Sequence, residues 1–369
     1  MTSFLLAAVH KGPYLSVQSL EEALGPDQVT YLVAGISQAE RAGQGLPYLN
    51  LSQAQENWGS LEGLLHATGT KAVIRSSSEQ VQEPNVEVLV AAAAKQVGVP
   101  VFVIEDFPGN YWPTPEERLD GLFIEDHSLV ALHQSRGVDP SAIHTVPNPR
   151  YAALAQTNVL ACRKATRREL GIGSSPVILW AGQPDGENSY LALARVLARY
   201  ENPQVTLLFR AHPRDPLYTG GKYRDLLANT AMKVLDVSSH SDVMGLYCAS
   251  DLVVTQFSSA GVEASHLGIP ALFVLFNDLG KAYLRAYKGY DRLPWTKNDC
   301  SFIIEGEEDI ATIMEQAIGD SSSRNRITQN FQRHFGAGPH GPEALVRQIR
   351  TMADLNCGSP TRVSLSPDQ

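Results

Sequence analysis

Short apolar runs alternate with longer segments of helical period along most of the chain. In the first half, runs rich in Val, Ile, Leu and Phe predict strands at 3–9, 29–34, 71–75, 100–104 and 121–124. In the second half, similar runs predict strands at 176–181, 204–209, 251–255 and 270–276. Strands that are apolar on both faces and alternate with helices are typical of βαβ units around a parallel sheet. The predicted fold class is therefore α/β, with two doubly wound, Rossmann-like domains.

The join between the domains is expected where the alternation of strands and helices lapses, in a polar, Arg-rich stretch at 152–172. We therefore expect one domain over 1–163 and a second over 164–335. A further segment at 336–356 has helical period but lies beyond the last predicted strand. The polar residues at 357–369 predict a disordered tail.

The composition of the chain limits its function class. Its 369 residues exceed one ordinary core, and 43% hydrophobic with 19% charged residues is a globular composition. A formal net charge of −9 argues against a broad nucleic-acid surface, which needs clustered Lys and Arg. An anionic ligand must therefore be bound by a few local donors.

No run approaches the ~20 apolar residues of a membrane span, and MTSFLLAAVHKG lacks the features of a secretory signal. We expect a cytoplasmic protein without a transmembrane segment, which leaves a peripheral membrane contact open. The four Cys are far apart and the His residues show no metal-binding spacing, so no metal site and no cofactor are expected.

Three loops of the second half directly follow predicted strands, where doubly wound sheets bind their ligands. In AGQPDG, Gly182 would let a ligand approach the backbone. In RAHPRDP, the side chains of Arg210, His212 and Arg214 can donate hydrogen bonds to a phosphate, although a solvated basic loop has the same composition.

The third loop is QFSSAGVE, which runs from Gln256 through Ser258 and Ser259 to Glu263. Two hydroxyls at a helix start suit a phosphate, but they equally suit an ordinary helix cap. Glu263 can accept hydrogen bonds from a ribose or simply complement the helix dipole. Because all three loops follow strands of one domain, they predict a nucleotide site there.

The first half carries candidate bases at similar positions. Glu105 and Asp106 follow the strand at 100–104, and adjacent residues of an extended chain cannot both face one cleft. One of the two, with Asp106 favoured, is a candidate general base; the alternative is a pair of solvated loop acids. His10, after the first strand, is the rival base, although a single His is more often structural. Phe107, Tyr111 and Trp112 supply aromatic surface nearby.

With LFRAHPRDP and SDLVVTQFSSAGVEASHLGIPALFV in this order, the chain resembles the glycosyltransferase-B superfamily. The His-Pro pair and the paired hydroxyls are similar to those of capsule and teichoic-acid glycosyl- or glycerophosphotransferases and of bacterial polysialyltransferases. In the last group an acidic pair in the first domain carries the base, and Glu105-Asp106 matches it in type and order. The resemblance implies two domains facing a cleft, with the nucleotide sugar held mainly by the second.

The chain also resembles the non-hydrolysing UDP-N-acetylglucosamine 2-epimerases. FGAGPHGPEALVRQI at 335–349 is similar to their ending, which implies that the helix at 336–356 crosses back to the first domain. Ser258-Ser259 replace the epimerase glycine pair, however, and EDFPGNYW stands where the epimerases have a His-x-Glu-Ala-Gly motif. We therefore favour a transferase.

These observations predict an inverting, metal-independent glycosyltransferase of surface polysaccharide or glycoconjugate biosynthesis. Its partners would be a CMP-, CDP- or UDP-linked sugar donor and a carbohydrate or other hydroxyl acceptor, without nucleic acid. The alternatives are an epimerase-like enzyme and a non-catalytic nucleotide- or sugar-binding paralogue. The sequence leaves the sugar, the base of the nucleotide, the acceptor and the oligomeric state open.

Overall fold

Residues 4–78, 85–336 and 341–357 are described by the computed structural model, and they form two parallel sheets of six strands each. Residues up to Ala152, together with the C-terminal helix, form one compact unit, and Ala153–Gly336 form the other. The two Rossmann-like domains that the apolar pattern predicts are therefore present.

The first sheet has the strand order β2-β1-β3-β4-β5-β6, with every neighbouring pair parallel. Its strands are β1 (Phe4–Ala8), β2 (Val29–Val33), β3 (Ala72–Ser76), β4 (Val101–Ile104), β5 (Gly121–Ile124) and β6 (Ile143–Thr145). The helices of this unit are α1 (Lys11–Gln18), α2 (Glu21–Leu24), α3 (Gly35–Gly43), α4 (Leu51–Trp58), α5 (Leu61–Thr68), α6 (Val86–Val97), α7 (Val130–Ser135) and, after the second unit, α17 (Gly341–Cys357).

The second sheet has the strand order β12-β11-β10-β7-β8-β9 and is also parallel throughout. Its strands are β7 (Val177–Ala181), β8 (Thr206–Arg210), β9 (Lys233–Asp236), β10 (Leu252–Thr255), β11 (Ala271–Val274) and β12 (Phe302–Ile304). Its helices are α8 (Val159–Glu169), α9 (Gly186–Arg199), α10 (Pro216–Thr219), α11 (Tyr223–Ala228), α12 (Val243–Ala249), α13 (Ser259–His266), α14 (Gly280–Lys288), α15 (Ile310–Gly319) and α16 (Ser321–Phe335).

The apolar residues of β1 separate into two cores because successive side chains of a strand point to opposite faces. Phe4, Leu6 and Ala8 pack in one core, and Leu5 and Ala7 pack in the other. Helices on both faces of the sheet complete these cores, which is why the strand has no polar face. Because helices bury both faces of such a strand, a continuous apolar run in the sequence predicts a central strand of an α/β sheet.

Helix α17 belongs to the first unit although it follows the second in sequence. Leu345, Val346 and Ile349 are buried in the core on one face of the first sheet, and Arg350 Nη2 donates to Leu24 O in α2 at 2.9 Å. Apart from Cys357, the tail expected at 357–369 lies outside the described residues.

Three strands are absent from the sequence prediction: β6, β9 and β12. All three lie at sheet edges. An edge strand has one neighbour and is only partly covered, so β9 (KVLD) and β6 (IHT) carry polar residues and lack the apolar run that identifies a central strand.

The units divide at Ala152–Ala153, before α8, whereas the sequence expectation placed the join at 163–164, inside this helix. Helix α8 packs on α12, and its Arg163 and Arg167 both pair with Asp251, which precedes β10. The Arg-rich stretch is therefore part of the second unit, because its cations are paired within that unit.

Candidate functional site

The loops after β7 and β8 and the start of α13 enclose a cavity of about 90 Å³ in the second unit. Five of the residues proposed from the sequence to bind the donor line it: Gly182, Arg210, His212, Ser258 and Ser259. They meet because β10, β7 and β8 are neighbours in the sheet, so the carboxyl ends of these strands lie side by side.

His212 is held as a neutral imidazole within this cavity. Its Nδ1 accepts a hydrogen bond from the backbone N–H of Arg214 at 3.1 Å, so the neutral ring carries its proton on Nε2. Burial, followed by the charges of Arg214 and Arg210, lowers the pKa of His212 to about 4. At neutral pH the ring therefore offers an uncharged N–H donor beside two guanidinium groups.

Ser258 and Ser259 form the start of α13. Ser258 is the N-cap, and its Oγ accepts from the N–H of Ala260 at 3.2 Å. The hydroxyl therefore serves as an ordinary cap, while the first backbone N–H groups of the helix lie at the cavity wall. Capping and anion binding are compatible here, because a helix start has more N–H donors than one hydroxyl can satisfy.

Glu263 contacts two residues of the cavity wall rather than the cavity itself. Its Oε1 accepts from the Ser259 hydroxyl at 3.1 Å and its Oε2 from the Tyr247 hydroxyl at 3.0 Å. Tyr247, which the sequence pattern did not reveal, lines the cavity from α12. Glu263 thus fixes the orientation of both hydroxyls.

The three remaining candidates for donor binding are Gly182, Gln256 and Arg214, and they differ in their surroundings. Gly182 lies so close to β8 that an added Cβ would be 3.2 Å from both Arg210 O and His212 N, so strand packing alone already favours a small residue there. Gln256 is buried and its Nε2 donates to Asn188 Oδ1 at 2.7 Å; within the described part of the chain its Oε1 has no hydrogen-bond partner. Arg214 is exposed and is not part of the cavity wall.

The two acids of the first unit have different environments. Glu105 is buried: its Oε1 accepts from the N–H of Tyr111 at 3.1 Å and lies 3.1 Å from His133 Nε2, without the alignment of a hydrogen bond. Asp106 is partly exposed, and its Oδ1 pairs with Arg150 Nη1 and accepts from the Ser16 hydroxyl at 3.3 Å. Of the two carboxylates, Asp106 has the accessible position.

Asp106 lies at the start of α1. A Cβ added at Gly12 would collide with the Asp106 carboxylate, so any larger residue there would displace this carboxylate from α1. His10 is the residue before α1, and its backbone O accepts from the Ser37 hydroxyl at 3.1 Å. The structure therefore brings the two candidate bases, Asp106 and His10, to one helix terminus.

Comparisons with known proteins identify the family. The sequence model of CDP-glycerol:poly(glycerophosphate) glycerophosphotransferases matches residues 124–335, which is more than half of the 369-residue chain. The chain belongs to this family. A search of curated proteins finds no match. The matched range of the glycerophosphotransferase family includes the complete cavity of the second unit.

Solved structures extend the likeness to both units of this glycerophosphotransferase-family protein. The UDP-GlcNAc 2-epimerase from Neisseria meningitidis, bound to UDP-GlcNAc, is 13% identical with a TM-score of 0.65, covering 95% of this chain and 100% of that one. HepE from Anabaena, in complex with UDP and glucose, is 14% identical with a TM-score of 0.65 and the same coverage. A glycosyltransferase from Rickettsia africae is 12% identical with a TM-score of 0.64, covering 97% and 99%.

At these identities the structural likeness establishes the fold. The family match and the fold together confirm the glycosyltransferase-B superfamily that the His-Pro and Ser-Ser motifs indicated. The family is named for transferases, and the reaction of this glycerophosphotransferase-family protein depends on its own residues.

Two further observations concern ions and membranes. Among residues 4–78, 85–336 and 341–357, no group of three or more His, Cys, Asp or Glu side chains is arranged to hold a metal ion. None of the described helices combines the length and the apolar character that a membrane crossing requires.

Arg150 and Ser16, the partners of Asp106, were not identified from the sequence. Arg150 follows β6, an edge strand that the apolar pattern did not reveal, and Ser16 lies within α1. The segment Asn148-Pro149-Arg150 contacts both acids, because Asn148 Nδ2 donates to Glu105 O at 3.4 Å. In the sequence, the polar triplet Asn148-Pro149-Arg150 was the only feature that could have marked this segment as a candidate part of the site.

Proposed function

We propose that this protein is an inverting, metal-independent transferase that moves a glycosyl group from a nucleotide-activated donor to an acceptor hydroxyl. The observation that carries the proposal is the cavity in which Arg210, His212 and the start of α13 converge. Such a set of donors suits a phosphate group. It includes a cation, a neutral imidazole N–H and backbone N–H groups of a helix start.

The second unit would hold the leaving phosphate. As the bond from the donor's anomeric carbon to the phosphate oxygen breaks, negative charge develops on that oxygen. Arg210 and His212 would stabilise this charge, and preorganised donors of this kind contribute a few kcal/mol each. Because the protein's own cation and N–H groups neutralise the phosphate, the proposed reaction needs no bound metal ion.

The first unit would supply the general base. We assign this role to Asp106, whose carboxylate is partly exposed, rather than to the buried Glu105. Asp106 would take the proton of the acceptor hydroxyl, and the acceptor oxygen would attack the anomeric carbon opposite the leaving phosphate, which inverts that carbon. His10, at the same helix start, is the second candidate base.

A second candidate function is transfer of a glycerophosphoryl group, which the family match favours. The same phosphate site would serve, but the acceptor oxygen would attack phosphorus instead of carbon, with CMP as the leaving group of CDP-glycerol. An epimerase reaction is the third candidate, supported by the full-length likeness to the Neisseria enzyme.

A two-step experiment separates these candidates. Thermal shift with CMP, CDP, UDP and GDP identifies the nucleotide, since a ligand at 100 times its dissociation constant adds ~2.7 kcal/mol of stability. Incubation with nucleotide sugars of that base, with CDP-glycerol, and with UDP-GlcNAc lacking acceptor then identifies the reaction. Acceptor-dependent release of nucleotide from a sugar donor supports glycosyl transfer, and a 2-epimer formed without acceptor contradicts it. Nucleotide binding without turnover of any donor would identify a non-catalytic paralogue.

A further inference from the structure

Trp112 presents a large aromatic surface to solvent in the first unit: its side chain is 48% exposed, while Trp180 and Trp295 are buried. It lies in the segment between β4 and β5, six residues after Asp106. The proposed general base and this exposed indole therefore belong to one connection at the carboxyl end of β4.

The indole is fixed rather than loose. The guanidinium of Arg136 lies over one face of the ring, 3.8 Å from its centroid. Arg136 Nη1 in turn donates to Gly109 O at 2.9 Å and to Tyr111 O at 2.7 Å. The cation thus connects the ring to the backbone just before it and covers part of an indole that is 48% exposed.

The segment itself is anchored by buried groups. Tyr111 is buried, its N–H donates to Glu105 and its hydroxyl donates to Glu117 Oε1 at 3.1 Å. Glu117 also pairs with Arg75, and both side chains are nearly completely buried. A ligand on Trp112 would therefore meet a surface whose conformational entropy was already lost on folding, which favours affinity.

We propose that the ring of Trp112 is an acceptor subsite that stacks against a sugar ring of a carbohydrate acceptor. This inference rests on the proposed function, because it assigns the substrate class that Asp106 would deprotonate. A pyranose packs its C–H groups, which are partly positive, on the negative face of an aromatic ring. A linear chain of glycerol phosphate lacks a flat apolar face that could stack on the ring. The exposed indole thus favours ring-bearing acceptors.

The test compares Trp112→Ala and Trp112→Phe with wild type on an array of immobilised pyranosyl oligosaccharides, with immobilised poly(glycerol phosphate) as the linear, charged probe. Tyr287→Ala is the matched control, because Tyr287 is an aromatic of the second unit that is 63% exposed. We expect wild type and Tyr287→Ala to bind oligosaccharides with equal affinity. Trp112→Ala should bind about 10-fold or more weakly, and Trp112→Phe should be intermediate.

Arg136→Gln gives an independent measure, because it removes the cation and keeps the indole. We expect it to weaken oligosaccharide binding less than Trp112→Ala does. Melting curves of all variants identify any that fail to fold, and Trp112→Phe keeps a large apolar ring in place if Trp112→Ala does not fold.

Three results would overturn the subsite: equal oligosaccharide binding by Trp112→Ala, no oligosaccharide binding by wild type, or preferential binding of poly(glycerol phosphate). Failure of the proposed function would be a different result. If no nucleotide shifts the melting temperature while oligosaccharide binding is lost only in the Trp112 variants, the transferase proposal fails and the sugar subsite stands.

Discussion

The carboxylate of Asp106 is ion-paired with the guanidinium of Arg150, which lies 44 residues later in the chain. Both side chains are largely buried, and Arg150 also packs its guanidinium over the ring of Tyr151, 4.7 Å from the centroid. The pair joins the segment after β4 to the segment after β6. It holds the carboxylate in one orientation at the start of α1.

Replacing Arg150 should therefore slow the reaction without affecting nucleotide binding. We expect Arg150→Gln to lower kcat by roughly 10- to 100-fold, because a misplaced base loses much of its contribution to proton transfer. Arg150→Lys should recover only part of the rate, since Lys cannot reproduce the planar guanidinium contact. Single-turnover rates and calorimetric nucleotide affinity measure the two effects; a kcat equal to that of wild type would remove Arg150 from the positioning of the base.

Replacing Asp106 and replacing Glu105 should have different effects on turnover. Asp106→Asn should lower turnover by about 10² to 10⁴, because the amide cannot take up the acceptor proton. It should also lower the stability of the fold, because it removes the carboxylate charge from the largely buried ion pair with Arg150, so turnover is the measurement that distinguishes the two acids. Glu105→Gln should lower the free energy of unfolding by roughly 1 to 3 kcal/mol, because it disturbs a buried acceptor beside His133. Steady-state rates on the two variants separate the roles, and urea unfolding measures the loss of stability in each. Normal turnover of Asp106→Asn would favour His10 as the base, to be checked with His10→Gln.

Nucleotide affinity should depend on the cavity residues of the second unit. His212→Ala or Ser258→Ala should weaken binding by roughly 1 to 3 kcal/mol per lost hydrogen bond to a charged phosphate. Ser259→Ala should have a smaller effect, because the Ser259 hydroxyl donates its one proton to Glu263. The exposed Arg214 provides a control through Arg214→Gln, which keeps the backbone N–H that orients His212. Calorimetry with the nucleotide found by thermal shift measures these affinities, and an unchanged affinity in the His212 variant would place the nucleotide elsewhere.

The lowered pKa of His212 also predicts how stability changes with pH. Its pKa is about 4 in the folded protein and 6.5 for an unperturbed imidazole, so between these values the unfolded chain binds the proton more tightly. The contribution of this residue is therefore fully present above about pH 6.5 and is lost as the pH falls towards 4. Denaturant unfolding at pH 7.5 and 5, with His212→Asn as the variant that cannot titrate there, measures it. An identical loss of stability in both proteins would exclude His212 as the cause.

For Glu87 we expect the opposite dependence of stability on pH. It is fully buried, and burial raises its pKa from 4.5 to about 7, although it accepts hydrogen bonds from Val9 and Ser78. The folded state therefore holds this proton more tightly than the unfolded chain. Its contribution is fully present below about pH 4.5 and is lost as the pH rises towards 7, by up to roughly 3 kcal/mol. We expect Glu87→Gln to flatten this part of the stability profile, and a slope like that of wild type would contradict the assignment.

The elements that could be predicted from the sequence are those whose burial requires a recognisable run of apolar residues. The nine central or strongly apolar strands were predictable because a strand covered on both faces is mostly apolar, as β1 and β11 are. Both ends of α6 have local causes in the structure: the Asn85 side chain caps its first turn, and Gly98 ends the helix with a φ of 77°. Edge strands such as β9 escaped prediction, because partial exposure permits polar residues.

The positions of candidate site residues were predictable where they depend only on which strand each residue follows. Arg210, His212 and Ser258 follow neighbouring parallel strands, so their convergence needed only the rule that carboxyl ends share one edge. Glu263, whose two oxygens accept from Ser259 and Tyr247, shows the limit of that rule. Its position was predictable, but its partners depend on how α12 packs beside α13.

By itself, the sequence determined the α/β class, the central strands, the superfamily and the segments that carry polar groups, because each of these depends on local periodicity and motif order. Only the tertiary structure decided that Glu105 is buried while Asp106 pairs with Arg150, and that Arg136 covers one face of Trp112. Adjacent residues have nearly the same local sequence. Their environments differ because long-range packing sets which side chain faces the core and which cation from a distant segment reaches it.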